Sequence, residues 1–426
     1  MLWLFGIMLG LFAIGTPIAW SMAFASGAFM LFGPGIPLHG MVQRMIGGID
    51  TFPLLAIPFF ILAGNLMNTG GITERLVTFA RILVGHITGG LAHVAVVANM
   101  IMAGMSGSGV ADAAGTGSVL LPAMEKSGYS RGFAAAIVGA ASTIGPIIPP
   151  SIPFVIYGSI ANASIGRLLL AGAIPGVLMG IMLMIFVYIV ARRRGYPSER
   201  RASWAELRRA TVRALPPLGM PAIILGGIIG GIMTPTEAAS AGAAYAFVLG
   251  CFVYKELRAR DLVNVVRDSA LSTAAIAIII SAAQPFGWVL TLVQAPQTVF
   301  AFFQTLQLPQ WQVYALLNII FLVVGCFMEG IAVLVMAIPV ILPLIQQSGI
   351  DVVHFGVVYT VNSMIGTITP PVGMIMYVVC ALGKVSIAEF TREVWPFLLA
   401  LTIALGLVTY IPALAMWLPN LLLPAR

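Results

Sequence analysis

The sequence predicts an all-α polytopic membrane protein built from inverted structural repeats, and three observations carry this prediction. The composition is unusually apolar, several apolar runs could cross a bilayer, and the two halves of the chain share a glycine and proline pattern. Of the 426 residues, 60% are hydrophobic and 8% are charged, with a mean hydropathy of +1.04. Soluble domains carry about 25% charged residues. The composition therefore excludes a soluble enzyme, a disordered chain and a nucleic-acid-binding protein.

The apolar runs are continuous, as in membrane helices, and do not alternate with polar residues as in the strands of a barrel. A helix needs about 20 apolar residues to cross the hydrocarbon layer. We interpret the first run as a retained span and not as a signal peptide, because no charged segment precedes it. The long runs cover residues 1–32, 168–190, 215–233, 270–293 and 395–418.

Basic residues set the expected orientation in the membrane. The segment 192–213 is rich in arginine, and a second basic cluster extends from Lys255 to Arg267. The positive-inside rule places both clusters in the cytoplasm. Arg44 also suits the cytoplasm, and the N-terminus is then expected on the opposite, outer side.

An internal duplication is visible at a constant offset of 221 residues. Gly104 then corresponds to Gly325, and the pair Pro149–Pro150 to Pro370–Pro371. The sequence alone does not settle whether the copies are parallel or inverted, but an odd number of crossings per copy favours inversion, which is common in secondary transporters. The duplication predicts N-terminal scaffold helices (1–90), a first repeat (91–175), further scaffold helices (176–310), a second repeat (311–396) and a C-terminal helix (397–426).

Each copy contains a polar, glycine-rich segment where a membrane helix is expected, at 103–118 and 325–335. Each glycine weakens a helix by about 1 kcal/mol relative to alanine. We therefore predict two re-entrant helical hairpins. Asp112 and Glu329 lie near their tips, and each carboxylate could either cap a helix or coordinate a cation.

Each copy also contains a proline pair that must interrupt its helix, because proline removes an amide donor and clashes with the preceding turn. The two discontinuous helices would offer carbonyl and hydroxyl oxygens, which are suitable ligands for a Na⁺ ion. The first predicted Na⁺ site comprises Ser106, Ser108, Asp112, Ser142, Thr143, Gly145, Pro146 and Pro149. The second comprises Gly325, Glu329, Asn362, Ser363, Gly366, Thr367, Thr369 and Pro370.

An anionic substrate could bind between the two sites, at the amino ends of the half-helices that follow the breaks. The predicted substrate residues are Ser151, Asn162, Val372 and Gly373. Neither element contains a lysine or arginine that could clamp the anion. No arrangement typical of a catalytic site is present, so an enzyme is not expected.

Four segments together resemble the large membrane subunit of tripartite ATP-independent periplasmic (TRAP) transporters: 58–72, 106–151, 233–239 and 360–373. The resemblance implies Na⁺-coupled import of an organic acid, such as a C4-dicarboxylate, sialic acid, sugar acid or keto acid. It also implies a periplasmic substrate-binding protein and a small four-helix membrane subunit, here a separate chain. The architecture would be similar to that of divalent-anion/Na⁺ symporters, which move a transport domain like an elevator.

Three alternatives are weighed beside this hypothesis. A self-sufficient anion/Na⁺ carrier or antiporter would need no binding protein. A membrane-embedded enzyme could use Asp112 and Glu329 as acids but would leave the duplication unexplained. A scaffold or receptor subunit without a conduction path would not need broken helices in both halves.

Overall fold

The computed structural model describes residues 2–33 and 38–424. Within these ranges the chain forms 20 α-helices and no strand, and seven helical segments are long and apolar enough to cross a membrane. The prediction of an all-α polytopic membrane protein is confirmed. The fold also contains two tip-to-tip hairpins and two interrupted helices, at the places where the sequence predicts them.

The N-terminal region departs from the expected single span. Helices α1 (Leu2–Ala13) and α2 (Ile18–Phe32) form an antiparallel hairpin, with Trp3 stacked on Phe29 at 4.9 Å between ring centroids. Gly15, in the left-handed region with φ of 90°, makes the turn together with Pro17. The prediction of one span over residues 1–32 is therefore wrong.

Three helices follow the N-terminal hairpin. They are the amphipathic α3 (His39–Ile49), then α4 (Ala56–Thr69) and α5 (Ile72–Val84).

The first repeat begins with the hairpin of α6 (Gly90–Ser106) and α7 (Gly109–Lys126). The first interrupted helix consists of α8 (Arg131–Ser142) and α9 (Ile152–Ala161), and α10 (Ile165–Arg194) crosses back to the arginine-rich loop. All of α8 from Gly132 to Ser142 is buried. This half-helix therefore forms the centre of the first repeat.

The middle of the chain consists of long helices. They are α11 (Trp204–Ile229), α12 (Pro235–Val248) with a π-helical turn at its end (Leu249–Val253), and α13 (Ala259–Leu292). Thr234 and Glu237 form a capping box at the start of α12, with Pro235 at the first helical position. The short amphipathic α14 (Ala295–Leu306) leads into the second repeat.

The second repeat reproduces the first. Helices α15 (Gln310–Gly325) and α16 (Gly330–Gln347) form its hairpin, and α17 (Val352–Gly366) and α18 (Met374–Gly383) form its interrupted helix. The chain continues with α19 (Ile387–Tyr410) and α20 (Ala413–Leu422), so the predicted run 395–418 is divided between two helices. Both breaks contain a cis peptide bond, at Pro149–Pro150 and Pro370–Pro371.

The two repeats are inverted, which the sequence alone left open. Near the start of α19, Glu389 accepts a hydrogen bond of 3.1 Å from the amide of Gly132, at the base of the first hairpin. At the end of α19, the hydroxyl of Tyr410 donates to the carbonyl of Trp311, at the base of the second hairpin, at 3.4 Å. A helix of this length spans about 36 Å. The two hairpins therefore open on opposite faces of the molecule.

The basic loop defines one of these faces. The guanidinium of Arg81 donates a hydrogen bond to the carboxylate of Glu199. Arg194 forms a salt bridge of 2.7 Å with Glu393 near the start of α19. Arg44 is on the other face, because its guanidinium carbon lies 4.3 Å from the ring centroid of Trp288, about 44 Å along α13 from its basic end. The prediction that Arg44 shares the cytoplasmic face with the basic loop is therefore wrong.

Candidate functional site

The first hairpin tip lies directly against the first helix break. Ser108 caps α7 by accepting a hydrogen bond from the amide of Ala111, and the hydroxyl of Ser106 accepts one from the amide of Ser108 at 3.3 Å. Gly107 turns the chain in the left-handed region, and a Cβ there would lie 2.9 Å from the carbonyl oxygen of Pro150. Only glycine allows this approach of the two backbones.

Asp112 and Gly145 form the centre of the first predicted Na⁺ site. Asp112 is fully buried, and neither carboxylate oxygen has a hydrogen-bond partner among the described residues. A Cβ on Gly145 would lie 2.3 Å from Oδ2 of Asp112 and 3.2 Å from the carbonyl oxygen of Ser142. Two oxygen atoms therefore converge on one glycine.

Several backbone carbonyls of this first break accept hydrogen bonds from their own segment of the chain. The amides of Thr143, Ile144 and Gly145 each donate to the carbonyl three residues earlier. The hydroxyls of Ser142 and Thr143 donate to Gly139 and Ala140 at 2.8 and 2.7 Å. The carbonyls of Ala140, Ala141 and Ser142 therefore each accept a hydrogen bond within the break. A carbonyl or hydroxyl oxygen in such a bond still has a lone pair for a cation.

The remaining residues of the first predicted site, Pro146 and Pro149, have structural positions in the break. The carbonyl of Pro146 accepts a hydrogen bond from the hydroxyl of Ser151. Pro149 is buried within the break itself. Both prolines hold the backbone that carries the candidate oxygens.

A backbone hydrogen bond joins the second tip to the second break. The amide of Val372 donates to the carbonyl of Cys326 at 3.1 Å. A Cβ on Gly366 would lie 2.8 Å from both the carbonyl carbon and oxygen of Gly325. The two glycines that the duplication pairs with Gly145 and Gly104 therefore meet here in backbone contact.

Asn362 is the buried amide of the second site. Its Nδ2 donates to the backbone and side-chain oxygens of Asn318 at 2.8 and 3.0 Å, whereas its Oδ1 has no donor among the described residues. The Oγ of Ser363 lies against Gly330, where a Cβ would come within 1.9 Å of it. Asn362 and Ser363 offer neutral oxygens to the second site, in contrast to the Asp112 carboxylate of the first.

The two threonines of the second site bond to their own helix. The hydroxyls of Thr367 and Thr369 donate to the carbonyls of Met364 and Ile365, at 2.6 and 2.7 Å. The carbonyl of Thr367 accepts the amide of Ile375 at 3.0 Å, which ties the break to the start of α18. Pro370 follows at the partly exposed end of the break.

The two tip carboxylates differ in their local role. Glu329 is the N-cap of α16 and accepts a hydrogen bond of 2.9 Å from the amide of Ala332. In the first hairpin the cap is Ser108, so Asp112 in the first turn of α7 is not needed for capping. The capping interpretation thus describes Glu329 and not Asp112.

A cavity of about 90 Å³ lies between the two tips and the two breaks. Both repeats contribute to its wall, and α13 adds Ile276. Of the predicted ion-site residues, it brings together Ser108, Pro146, Glu329 and Thr367. Its other lining residues are Gly107, Gly109, Val110, Ile152, Pro153, Ile331, Met364, Met374 and Ile375.

The predicted substrate residues lie beside this cavity or far from it. Ser151 is fully buried as the N-cap of α9, and Gly373 is the N-cap residue of α18. Val372 is 43% exposed, outside the cavity wall. Asn162 ends α9, about 15 Å from the break. The wall is formed instead by the residues that follow the two caps, such as Ile152 and Met374.

Sequence reasoning missed two kinds of residue. Ile276 and Ile331 line the cavity but are apolar residues within apolar helices, without a local signal that distinguishes them. Asn318 orients Asn362 from another helix. A polar side chain inside the apolar segment 310–325 was the available signal, because such residues are uncommon in membrane helices.

Comparison with known proteins agrees with this architecture. Residues 5–414 match the family described as "Tripartite ATP-independent periplasmic transporter, DctM component". The chain is 42% identical over 415 residues to the sialic acid TRAP transporter large permease protein SiaM of Vibrio cholerae, with 97% of each chain covered. It is 40% identical over 397 residues to the C4-dicarboxylate TRAP transporter large permease protein DctM of Pseudomonas aeruginosa, with 93% of each chain covered.

Solved structures show a similar fold at low sequence identity. The Alcanivorax borkumensis YdaH transporter superimposes with a TM-score of 0.63 at 14% identity, covering 87% of this chain and 88% of YdaH. Neisseria gonorrhoeae MtrF gives a TM-score of 0.55 at 12% identity, with 95% of each chain covered. The inverted hairpins, the family match and the near full-length relatives together lead to one conclusion: the chain belongs to the TRAP transporter family as a large permease of the DctM type, a component of secondary transport and not an enzyme.

Proposed function

We propose that this large permease imports an organic acid together with Na⁺ across the bacterial inner membrane. The observation that carries the proposal is the pair of oxygen-rich tip–break contacts on either side of one cavity. Asp112 and the carbonyl of Ser142 converge at the first contact, and Asn362 presents an unpaired oxygen beside the second. Carbonyl, amide and carboxylate oxygens can replace part of the hydration shell of Na⁺.

The charge of Asp112 supports a cation at the first site. A buried carboxylate without a hydrogen-bond donor is costly unless a positive charge compensates it. The described residues place no lysine or arginine against its oxygens. A bound Na⁺ would supply the missing charge and would join the hairpin tip to the break before substrate binds.

The substrate class follows from the relatives. They include large permeases named for sialic acid, C4-dicarboxylates and 2,3-diketo-L-gulonate, each of which is an organic acid. We place the carboxylate of the substrate in the cavity between the tips, near the amino ends of α9 and α18. The positive ends of these helix dipoles would favour an anion there.

The partners and orientation are part of the same proposal. A periplasmic binding protein would deliver the substrate, and a small four-helix membrane subunit would assemble with this chain as a separate polypeptide. The basic loop 192–213 would be cytoplasmic by the positive-inside rule. The N-terminus would then be periplasmic, since Phe5 contacts Phe286 near the end of α13 that is remote from its basic start.

We also propose that the two repeats move as a transport domain against the scaffold. Two glycines lie in the contact between the first hairpin and the scaffold. A Cβ on Gly64 would lie 3.2 Å from the Cα of Ser106, and one on Gly104 would lie 2.9 Å from Pro221. Small residues allow membrane helices to pack closely. Such a contact suits a transport domain that slides past the scaffold.

Uptake into proteoliposomes tests the proposed function. The large permease is reconstituted with the small subunit, the binding protein is added outside, and labelled N-acetylneuraminate and succinate are supplied in parallel. We expect uptake of one acid to require all three proteins and an inward Na⁺ gradient. Uptake at an unchanged rate with K⁺ in place of Na⁺ contradicts the coupling. Uptake by the large permease alone would instead support the self-sufficient carrier.

A further inference from the structure

A second cavity, of about 480 Å³, lies next to the central one, towards the face of the molecule that carries Arg44. We call it the outer cavity. Scaffold helices α3 and α13 form one wall, and α9 and α16 of the two repeats form the other. Its polar groups come from Arg44, Thr51, Gln284, Thr291 and Ser159. Its volume is in the usual range for a small-molecule site.

Three helices connect this outer cavity to the central cavity. On α13, Ile276 lines the central cavity and Ile280 and Gln284 line the outer one. These positions are four residues apart and therefore share one face of the helix, over about 12 Å. In the same way α9 and α16 each line the central cavity near the break or tip and the outer cavity one turn later. The two cavities thus lie along one path.

Arg44 is the one ionised residue among the lining residues of the outer cavity. Its guanidinium lies over the ring of Trp288, at 4.3 Å from the centroid. It forms no salt bridge or side-chain hydrogen bond with the described part of the chain. Stacking fixes the plane of the group while its N–H edge stays available to an anion.

The central cavity has no fixed positive side chain among its lining residues. Its lining contains the carboxylate of Glu329 and neither lysine nor arginine. Of these two cavities, only the outer one therefore presents a fixed positive charge to an organic anion. Charge of one sign in a cleft raises the local concentration of a ligand of opposite sign.

We propose that the outer cavity is a capture site for the carboxylate of the substrate, with Arg44 as its anion-binding residue. The guanidinium would hold the carboxylate through paired N–H donors, while Gln284 and Ser159 would contact the polar remainder. The ligand class rests on the proposed function, because organic acids are the proposed cargo. The site itself follows from the cavity, the unpaired cation and the shared helix faces.

Cysteine modification tests the charge in this cavity without any transport measurement. Gln284→Cys is placed in a background with Cys251, Cys326 and Cys380 replaced by alanine, and the protein is treated with anionic MTSES or cationic MTSET. We expect the MTSES-to-MTSET rate ratio to fall about threefold to tenfold when Arg44→Gln is added. Arg44→Lys keeps the charge and should preserve most of the ratio. Ile232→Cys, in the exposed turn after α11, is the matched control and should be insensitive to Arg44.

Protection by ligand tests the capture role itself. N-acetylneuraminate or succinate should slow the MTSES reaction at Gln284→Cys when Arg44 is present and should fail to do so with Arg44→Gln. The neutral sugar N-acetylmannosamine should not protect. An unchanged rate ratio in Arg44→Gln, protection by neither acid, or equal protection by the neutral sugar overturns the proposal. Uptake that does not depend on Na⁺ would overturn the proposed function, but it would not alter the MTSES-to-MTSET rate ratio that tests this cavity.

Discussion

The carboxylate of Asp112 fills the space that a side chain on Gly145 would occupy, since a Cβ there would lie 2.3 Å from its Oδ2. Asp112 belongs to the first hairpin tip and Gly145 to the first helix break, so the contact joins the two elements of the first proposed Na⁺ site. The absence of a side chain at Gly145 is therefore what allows the carboxylate to reach the break. This contact sets the position of the first hairpin tip relative to the first helix break.

The first prediction concerns this contact. Gly145→Ala should displace the Asp112 carboxylate, because overpacking a buried site costs about 1–3 kcal/mol. We expect Na⁺-dependent uptake to fall about tenfold or more. Gly406→Ala is the matched control, since a Cβ on Gly406 meets nothing within 4 Å. Equal uptake by the two variants would refute a close role for Gly145.

The second prediction separates the two tip carboxylates. Asp112→Asn removes the buried charge at nearly constant volume, so the Na⁺ concentration for half-maximal uptake should rise about tenfold or more. Glu329→Gln keeps an oxygen that can accept the amide of Ala332, so its capping function should be largely preserved. We expect only a small change in the Na⁺ dependence of that variant. A larger effect from Glu329→Gln than from Asp112→Asn would reverse the roles assigned here.

The third prediction concerns the breaks themselves. Replacing Pro370–Pro371 or Pro149–Pro150 by Ala–Ala restores amide donors and removes the clash that interrupts the helix. Uptake should be abolished while the amount of protein in the membrane is maintained. Pro396→Ala is the control, because α19 continues through Pro396. Full uptake by either Ala–Ala variant would show that the break is not required.

The fourth prediction tests movement between scaffold and transport domain. A Cβ on Gly115 of the first hairpin would lie 3.0 Å from Oδ1 of Asn68 on α4. The pair Asn68→Cys and Gly115→Cys, in a background free of other cysteines, should form a disulfide under oxidation. Uptake should then stop and return on reduction, and each single variant should ignore the oxidant. Unimpaired uptake by the fully cross-linked protein would argue against sliding at this contact.

Glycine and proline made the hairpins and breaks predictable. The first tip falls at Gly107 and Ser108, inside the segment 103–118, and both breaks contain the proline pairs. These residues act on the backbone locally, through allowed dihedral angles and a missing amide donor. Their effect can therefore be recognised without knowledge of the tertiary structure.

Long-range relationships could not be predicted in the same way. Residues 1–32 are long enough for one span, and the structure shows a hairpin there through the turn at Gly15 and the packing of Trp3 on Phe29. The inversion was ambiguous because α14 and α15 are 12 and 16 residues long, too short to identify as full crossings. Asn318 meets Asn362 from a distant part of the sequence, and nothing local to either residue indicates that pairing.

Direct binding of ²²Na⁺ to the purified protein is the measurement that tests the central claim most closely. We expect saturable binding that excess unlabelled Na⁺ displaces and excess K⁺ does not. The bound amount should fall in Asp112→Asn and should be maintained in Gly406→Ala. Absence of saturable ²²Na⁺ binding to the intact transporter, or full binding in Asp112→Asn, would contradict the assignment of the first tip–break contact as a Na⁺ site.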